Sequence, residues 1–193
     1  MRYRGYRKLS LSPILVIIAV NVLVFIAARI SIKVLAYLGL WSGEAFFNYP
    51  WGIVTSIFVH YEFFHIFANM LTLYFFGSYL HRLIGGRRFS LIYLGGGILG
   101  SLFFLLLAPP TISLAVGASG AVFAIGGVLS ILRPNLKVFI FPIPAPLSIW
   151  VAVIGGFVIL SLFPPIAWQA HLGGLVFGLT VGYSLKKRMR YYF

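Results

Sequence analysis

Six apolar runs, separated by turn-rich or basic stretches, dominate the chain: Pro13–Ile30, Phe63–Ile84, Phe89–Ala108, Ala115–Leu132, Pro146–Phe163 and Trp168–Leu185. A helix needs roughly 20 mainly apolar residues to cross the hydrocarbon core of a bilayer, and these runs approach that length. Inside lipid the backbone must satisfy its own hydrogen bonds, so each run is predicted to be a helix. The pattern therefore predicts an all-α polytopic membrane protein, with residues 1–193 forming a single six-span domain. Residues 31–62 make the one long connection. It carries Tyr37, Trp41, Phe46, Phe47, Tyr49, Trp51, Phe58 and Tyr61, a density of aromatics suited to the headgroup level of the outer interface. The connection Pro109–Val116 is uncharged and contains a Pro-Pro break. A non-helical stretch at membrane depth is tolerated only where protein or a water-filled cavity covers it.

Composition reinforces this picture: 61% of residues are hydrophobic and 9% charged, against about 25% charged in a soluble domain, and the mean hydropathy is +1.03. Charge then gives orientation. Of the 15 basic residues, all but Arg29 and Lys33 fall where an even-numbered topology places one side of the membrane. These are Arg2, Arg4, Arg7 and Lys8; Arg82, Arg87 and Arg88; Arg133 and Lys137; and Lys186, Lys187, Arg188 and Arg190. The positive-inside rule makes both termini cytoplasmic. The N-terminus resembles a signal peptide up to Ala27-Ala28, but the length of its apolar run predicts an uncleaved first span. A net charge of +13 does not imply nucleic acid, because the basic residues are divided among short loops and tails, where they meet lipid headgroups. Short loops and a bare six-span core suit a prokaryotic plasma membrane. The pattern is silent on oligomeric state.

The available chemistry is narrow. With no Cys, disulfides, thiolate catalysis and iron–sulfur or zinc–thiolate sites are excluded. No Asp is present either, and Glu44 and Glu62 are the only acidic residues, which removes an aspartyl dyad, a Walker-type magnesium site and a Ser-His-Asp triad. Polar side chains are expensive within spans and tend to mark function; the conspicuous ones are Asn21, His65, Asn69, Ser119 and His171. Spans two, four and six enter from the outer side, and His65, Ser119 and His171 lie near their outer starts, within roughly 9 Å of the interface.

Helical spacing adds facing. His171, Gly174, Gly178 and Gly182 form one stripe of span six, and Ser119, Phe123, Gly126 and Ser130 one stripe of span four. Small residues permit close helix approach; if the two stripes meet, Ser119 and His171 come within hydrogen-bonding range. His65, Asn69 and Thr72 share a face of span two. A Ser hydroxyl needs an adjacent base to become a nucleophile, and His is the usual one near neutral pH. Glu44 and Glu62 belong to the outer loop, so a dyad is the available form. Ser119 lies in Gly117-Ala118-Ser119-Gly120 at a helix start, where unpaired first-turn amides can donate to an oxyanion, with His65 and Asn69 as further donors. Alternatives accompany each piece: the Gly-x-Ser-Gly run can serve packing, an intramembrane His can be structural or a relay, and His65 with Asn69 can be interhelical glue. The shared depth of three spans favours chemistry. His60, about 140° round a helix from His65, is expected to be a structural residue of the loop edge. The run from His60 to His65 lacks HExxH spacing, so no metal is expected.

These motifs resemble those of the rhomboid family of intramembrane serine proteases. His65-x-x-x-Asn69 is similar to the family's HxxxN, Gly117-Ala118-Ser119-Gly120 to its GxSG, and Ala170-His171-x-x-Gly174-x-x-x-Gly178 to its AHxxGxxxG. The resemblance runs from Trp51 to Gly178. It implies a six-helix bundle opening to the extracytoplasmic side, with Ser119 as nucleophile and His171 as general base. It also implies that His65, Asn69 and the Ser119 amide serve the oxyanion, that Gly117, Gly120, Phe123, Gly174 and Gly178 are supporting residues, and that no metal or cofactor takes part. The expected activity is a serine endopeptidase cutting transmembrane protein substrates near the outer leaflet. The alternatives are a non-catalytic relative that binds membrane proteins, or a transporter using His65 and His171 as proton relays, against which no repeat relates residues 1–96 to 97–193. Three positions depart from the family's pattern: Gly52 follows Trp51 where Arg is frequent, Leu80 stands where Glu-x-Arg would begin, and Phe123 replaces a Tyr.

Overall fold

The computed structural model describes residues 12–108, 113–140, 143–163 and 166–189. Arg2, Arg4, Arg7, Lys8 and Arg190, together with residues 109–112 of the Pro-Pro connection, lie outside the described residues. Six longer helical segments carry the fold: α1, Pro13–Ile30; α2, Phe63–Ile84; α3, Gly86–Leu107; α4, Ser119–Leu132; α5, Ile149–Ser161; and α6, Trp168–Met189. Of these, α1, α2 and α3 are long and apolar enough to cross a membrane, while α4 and α5 are shorter apolar helices.

Several boundaries differ from the apolar runs, each for a local reason. Gly85, at φ +80°, ends α2 and turns the chain directly into α3, which starts at Gly86 rather than Phe89. The left-handed region is one that glycine enters without a Cβ penalty. Helix α4 begins at Ser119 rather than Ala115 because Leu114–Ala115 instead pair antiparallel with Leu40–Trp41. Likewise Leu147–Ser148 pair with Lys137–Val138, which shortens α5. Within α2, Leu73–Gly77 form a π-helical turn, the kind of local widening found frequently at functional sites.

Helix α4 is the centre of the bundle: Ala121, Ala124, Ile125, Val128 and Leu129 are all fully buried. It runs parallel to α6, with Gly174 against the Gly120 backbone, Gly178 against that of Ala124, and Gly182 against Val128. A methyl group at Gly174 or Gly178 would strike main-chain atoms. The face of α4 that meets α6 is thus Gly120, Ala124 and Val128, one residue round from the expected Ser119–Phe123–Gly126–Ser130 stripe; Gly126 instead faces Val153 of α5. The reason lies in Ser119 being the first residue of the helix, so its side chain reaches the seam from the rim and not from within a stripe. Helix α3 packs antiparallel to both, with Gly96 on Ala124 and Gly100 on Gly120 and Ala170. Such close backbone approach supplies the dispersion energy that lipid, being as apolar as the side chains, does not. Asn21 of α1 is fully buried and donates to the Tyr93 hydroxyl of α3 (3.4 Å), besides back-bonding to Ile17 (2.8 Å). This intramembrane polar residue ties α1 to the bundle.

The long connection divides into a surface part and a buried part. Tyr37, Tyr49 and Trp51 cluster, with the Tyr37 and Trp51 ring centres 4.9 Å apart, and the Trp51 indole donates to the Tyr37 carbonyl at 2.7 Å. Thr55 Oγ1 donates to the Leu38 carbonyl at 2.6 Å. Gly52 sits so close to the Gly39–Leu40 backbone that a Cβ would approach it to 2.5 Å. The loop is therefore pinned by an indole, a hydroxyl and a close backbone approach where an Arg side chain is absent. Its later part, Ser56 to His60, turns inward: Ile57 fills the space left by Gly97 of α3, and Val59 and His60 are fully buried.

Candidate active site

Three helix starts meet at one end of the bundle. His65 is in the first turn of α2, Ser119 opens α4, and His171 is in the first turn of α6. The parallel α4–α6 register brings Ser119 Oγ to 2.8 Å from His171 Nε2. With the ring proton of a neutral imidazole on Nδ1, the hydroxyl donates to Nε2, the orientation required for a base that will take its proton. His171 is buried and Ser119 half-buried, so the serine is the more exposed residue of the pair. Among the described residues His171 Nδ1 has no hydrogen-bond partner. Packing orients the ring instead: Phe123, one turn beyond Ser119, lies against it with ring centres 4.7 Å apart and planes 33° from parallel. Phe123 supplies a ring face at this position without a hydroxyl, and is itself packed edge-on by Phe157 of α5.

The turn entering α4 is shaped by glycine and by the inward loop. Gly117 has φ +129°, and a Cβ there would meet the His65 ring at 2.6 Å, so glycine is needed both for the conformation and for the approach of His65. The Gly117 amide donates to the Ser56 carbonyl at 3.0 Å, and the Ala118 amide to His60 Nε2 at 3.2 Å. Two amides of the turn are thus already engaged, and the Ser119 amide is the first of the helix with no i−4 helical acceptor. Asn69 is buried and donates one amide hydrogen to the His65 carbonyl at 2.9 Å, leaving its second hydrogen for another acceptor. Ser119, His171, His65 and Gly117 are therefore brought together, with Asn69 on the next turn below His65. Gly120, Gly174 and Gly178 lie beneath them as the α4–α6 seam.

His60 is more deeply involved than its sequence position suggests. It is fully buried, its ring packs edge-on to His65 with centres 4.9 Å apart, and it accepts the Ala118 amide. Burial, and next the proximity of His65, push its pKa down to about 3. A neutral ring is the form that can accept through Nε2. Its partner is a main-chain amide across the fold, which leaves no trace in side-chain spacing; the only signal was its place five residues before His65.

Comparison with known proteins adds to the geometry. The family described as Rhomboid domain matches residues 48–188. The chain belongs to the rhomboid family. It is 35% identical over 144 residues to Rhomboid protein 1, mitochondrial, of Saccharomyces cerevisiae, covering 70% of this chain and 42% of that protein. It is 32% identical over 148 residues to the Putative rhomboid protease YdcA of Bacillus subtilis, covering 73% of this chain and 71% of that one. A third relative, 36% identical over 130 residues (65% of this chain, 35% of the other), is the Inactive RHOMBOID-like protein 8 of Arabidopsis thaliana. The chain spans about two-fifths of the length of the yeast relative and about a third of the RHOMBOID-like protein 8. Rhomboid membership and the apolar helices make it an integral membrane protein. Its relatives carry both mitochondrial and bacterial names, so the expectation of a prokaryotic plasma membrane gains nothing from the family.

Proposed function

We infer that this rhomboid is an intramembrane serine endopeptidase working through a Ser119–His171 dyad. The observation that carries this reading is the 2.8 Å approach of Ser119 Oγ to His171 Nε2 in a chain with no Asp. In the reaction, Ser119 Oγ attacks the scissile carbonyl carbon as His171 Nε2 takes the hydroxyl proton. The carbonyl oxygen becomes an oxyanion facing the Ser119 amide, with His65 and Asn69 as side-chain donors. Collapse expels the amine, which receives the proton from His171, and leaves an acyl-enzyme on Ser119. Water then enters, gives its proton to His171 and releases the carboxylate product.

The substrates are transmembrane proteins, cut near the outer leaflet. That placement is supported by the site lying at the end opposite Arg82, Arg87, Arg88, Arg133 and Lys186–Arg188, the end that the positive-inside rule assigns to the cytoplasm. Spans rich in Gly, Ala or Pro at that depth are the expected substrates, since Gly and Pro weaken a helix and Ala adds little bulk to hinder extended binding. A relative that only binds membrane proteins would need neither the hydroxyl nor its base. The test is cleavage of a single-span reporter by purified protein in detergent, comparing wild type with Ser119→Ala and His171→Ala. Each substitution is expected to lower kcat by at least about 10³-fold, because the two side chains act as a unit. Unchanged cleavage in either variant would overturn the dyad, and a wild type inert toward several reporters would favour the binding relative.

A further inference from the structure

We propose that a single anionic phospholipid binds between α1 and α2 at the basic end of the bundle, its phosphate beside Arg82 and one acyl chain in the groove above. The proposal rests on membrane integration and not on the Ser119 chemistry, so it stands or falls separately from the proteolytic reading.

A cavity of about 420 Å³ opens where the start of α1 passes the end of α2. Its polar wall consists of Ser12, Ser78, His81 and Arg82. Arg82 is exposed and, among the described residues, uses only Nε, donating to the Ser78 carbonyl at 3.3 Å. Its two terminal nitrogens remain for a ligand, in the fork geometry that suits phosphate oxygens. Neither acidic side chain shares the pocket: Glu44 and Glu62, the chain's only Asp or Glu residues, stand at the opposite end of α1 and α2. Arg87 and Arg88, in the first turn of α3, add positive charge beyond the turn that follows α2. A zwitterionic headgroup would bring an ammonium into this field with no acidic side chain to receive it; a headgroup of net negative charge meets the Arg82 guanidinium and the Ser12 and Ser78 hydroxyls among the described residues.

The apolar half of the site is continuous with the polar half. A second, shallow surface groove is lined by Leu15 and Ile18 of α1 and by Phe67, Met70 and Leu71 of α2, and it shares Tyr74 and Phe75 with the first. Those two shared residues belong to the π-helical turn Leu73–Gly77. From Arg82 to Phe67 the groove follows α2 for about 22 Å, more than the roughly 15 Å of hydrocarbon in one leaflet. Free phosphate would use only the polar end, and a detergent-like chain only the other; one phospholipid of the leaflet at the basic end uses both.

The experiment is native mass spectrometry of the purified full chain in detergent with an equimolar mixture of dioleoyl phosphatidylglycerol and dioleoyl phosphatidylcholine. Wild type is expected to retain phosphatidylglycerol over phosphatidylcholine by about fivefold, the effect of one basic side chain at an anionic headgroup. Arg82→Gln and, independently, Ser78→Glu should bring the ratio close to one, while Arg133→Gln, at the same end but outside the groove, should leave it unchanged. Ile18→Trp, which fills the apolar half, should lower retention of both lipids. Thermal melting of each variant identifies any that fails to fold, and either pocket variant suffices. A wild-type ratio near one, an equal loss in Arg133→Gln, or displacement of the lipid by millimolar inorganic phosphate would overturn the proposal.

Discussion

His60 lies outside the proposed dyad and yet holds the turn that carries Ser119. Its Nε2 is the acceptor for the Ala118 amide immediately before Ser119, and its ring backs His65. His60→Ala strips a buried amide of its acceptor, which costs about 1–3 kcal/mol, and frees the turn that sets the nucleophile. We expect a lower melting temperature and a fall in kcat larger than any change in KM, measured on the detergent-purified protein with the single-span reporter; an unchanged kcat would reduce His60 to loop packing. The same residue gives a pH dependence. Folded, its pKa is about 3; unfolded it is about 6.5. Between those values the unfolded chain binds a proton that the folded chain refuses, so stability falls as pH drops from about 6.5 toward 3. Melting at pH 7 and pH 5 should show an acid loss in wild type that is smaller in His60→Asn, and equal losses would contradict the assignment. The contact between Ser119 and His171 was legible in the sequence because helix period and span depth are both written in side chains. His60 was not, because what it binds is backbone.

At the scale of elements, the helices were legible and their contacts only partly so. Apolar runs reported α1 and α2 to the residue, whereas two-residue strand pairs such as Leu40–Trp41 with Leu114–Ala115 are too short to leave an alternating pattern. The facing of α4 was ambiguous for a physical reason: small residues occur at Gly120 and Ala124 and also at Gly126 and Ser130, so two neighbouring stripes could each accept a close helix. The structure gives Gly120 and Ala124 to α6, and sets Gly126 against Val153 of α5. This division makes a paired prediction. In Gly174→Ala the new methyl meets the Gly120 backbone, forcing α4 and α6 apart at the level of the dyad. We expect a loss of about 1–3 kcal/mol and, because a shift of about 1 Å in a reacting pair can cost about 10²-fold, a comparable drop in kcat. Gly155→Ala on α5, where a Cβ meets nothing within 4 Å, should be neutral or stabilising by about 0.5–1 kcal/mol. Equal behaviour of the two variants in melting and cleavage assays would mean that the α4–α6 seam does not position the site.

For the whole molecule, function depends on which end faces which compartment, and the charge distribution makes that a physical question with a definite expectation. The described basic residues gather at the ends of α2, α4 and α6 and the start of α3, while Arg29 and Lys33 stand alone with Glu44 and Glu62 at the dyad end. Insertion keeps Lys and Arg of short loops on the cytoplasmic side, so the Ser119 end should emerge on the other. The absence of any Cys makes the test clean, since a single introduced thiol is the only target for a maleimide. Glu44→Cys, in the loop at the dyad end, is expected to react with a membrane-impermeant maleimide in intact cells. Asn135→Cys, in the turn between α4 and α5, should react only after permeabilisation. The reverse pattern would place Ser119 toward the cytoplasm, and the same dyad would then cut spans at their inner ends. Because His65, Ser119 and His171 lie within the first turns of their helices, the labelled side also tells which leaflet the proposed cut belongs to. From that side, water for the proposed deacylation reaches Ser119 without crossing the bilayer.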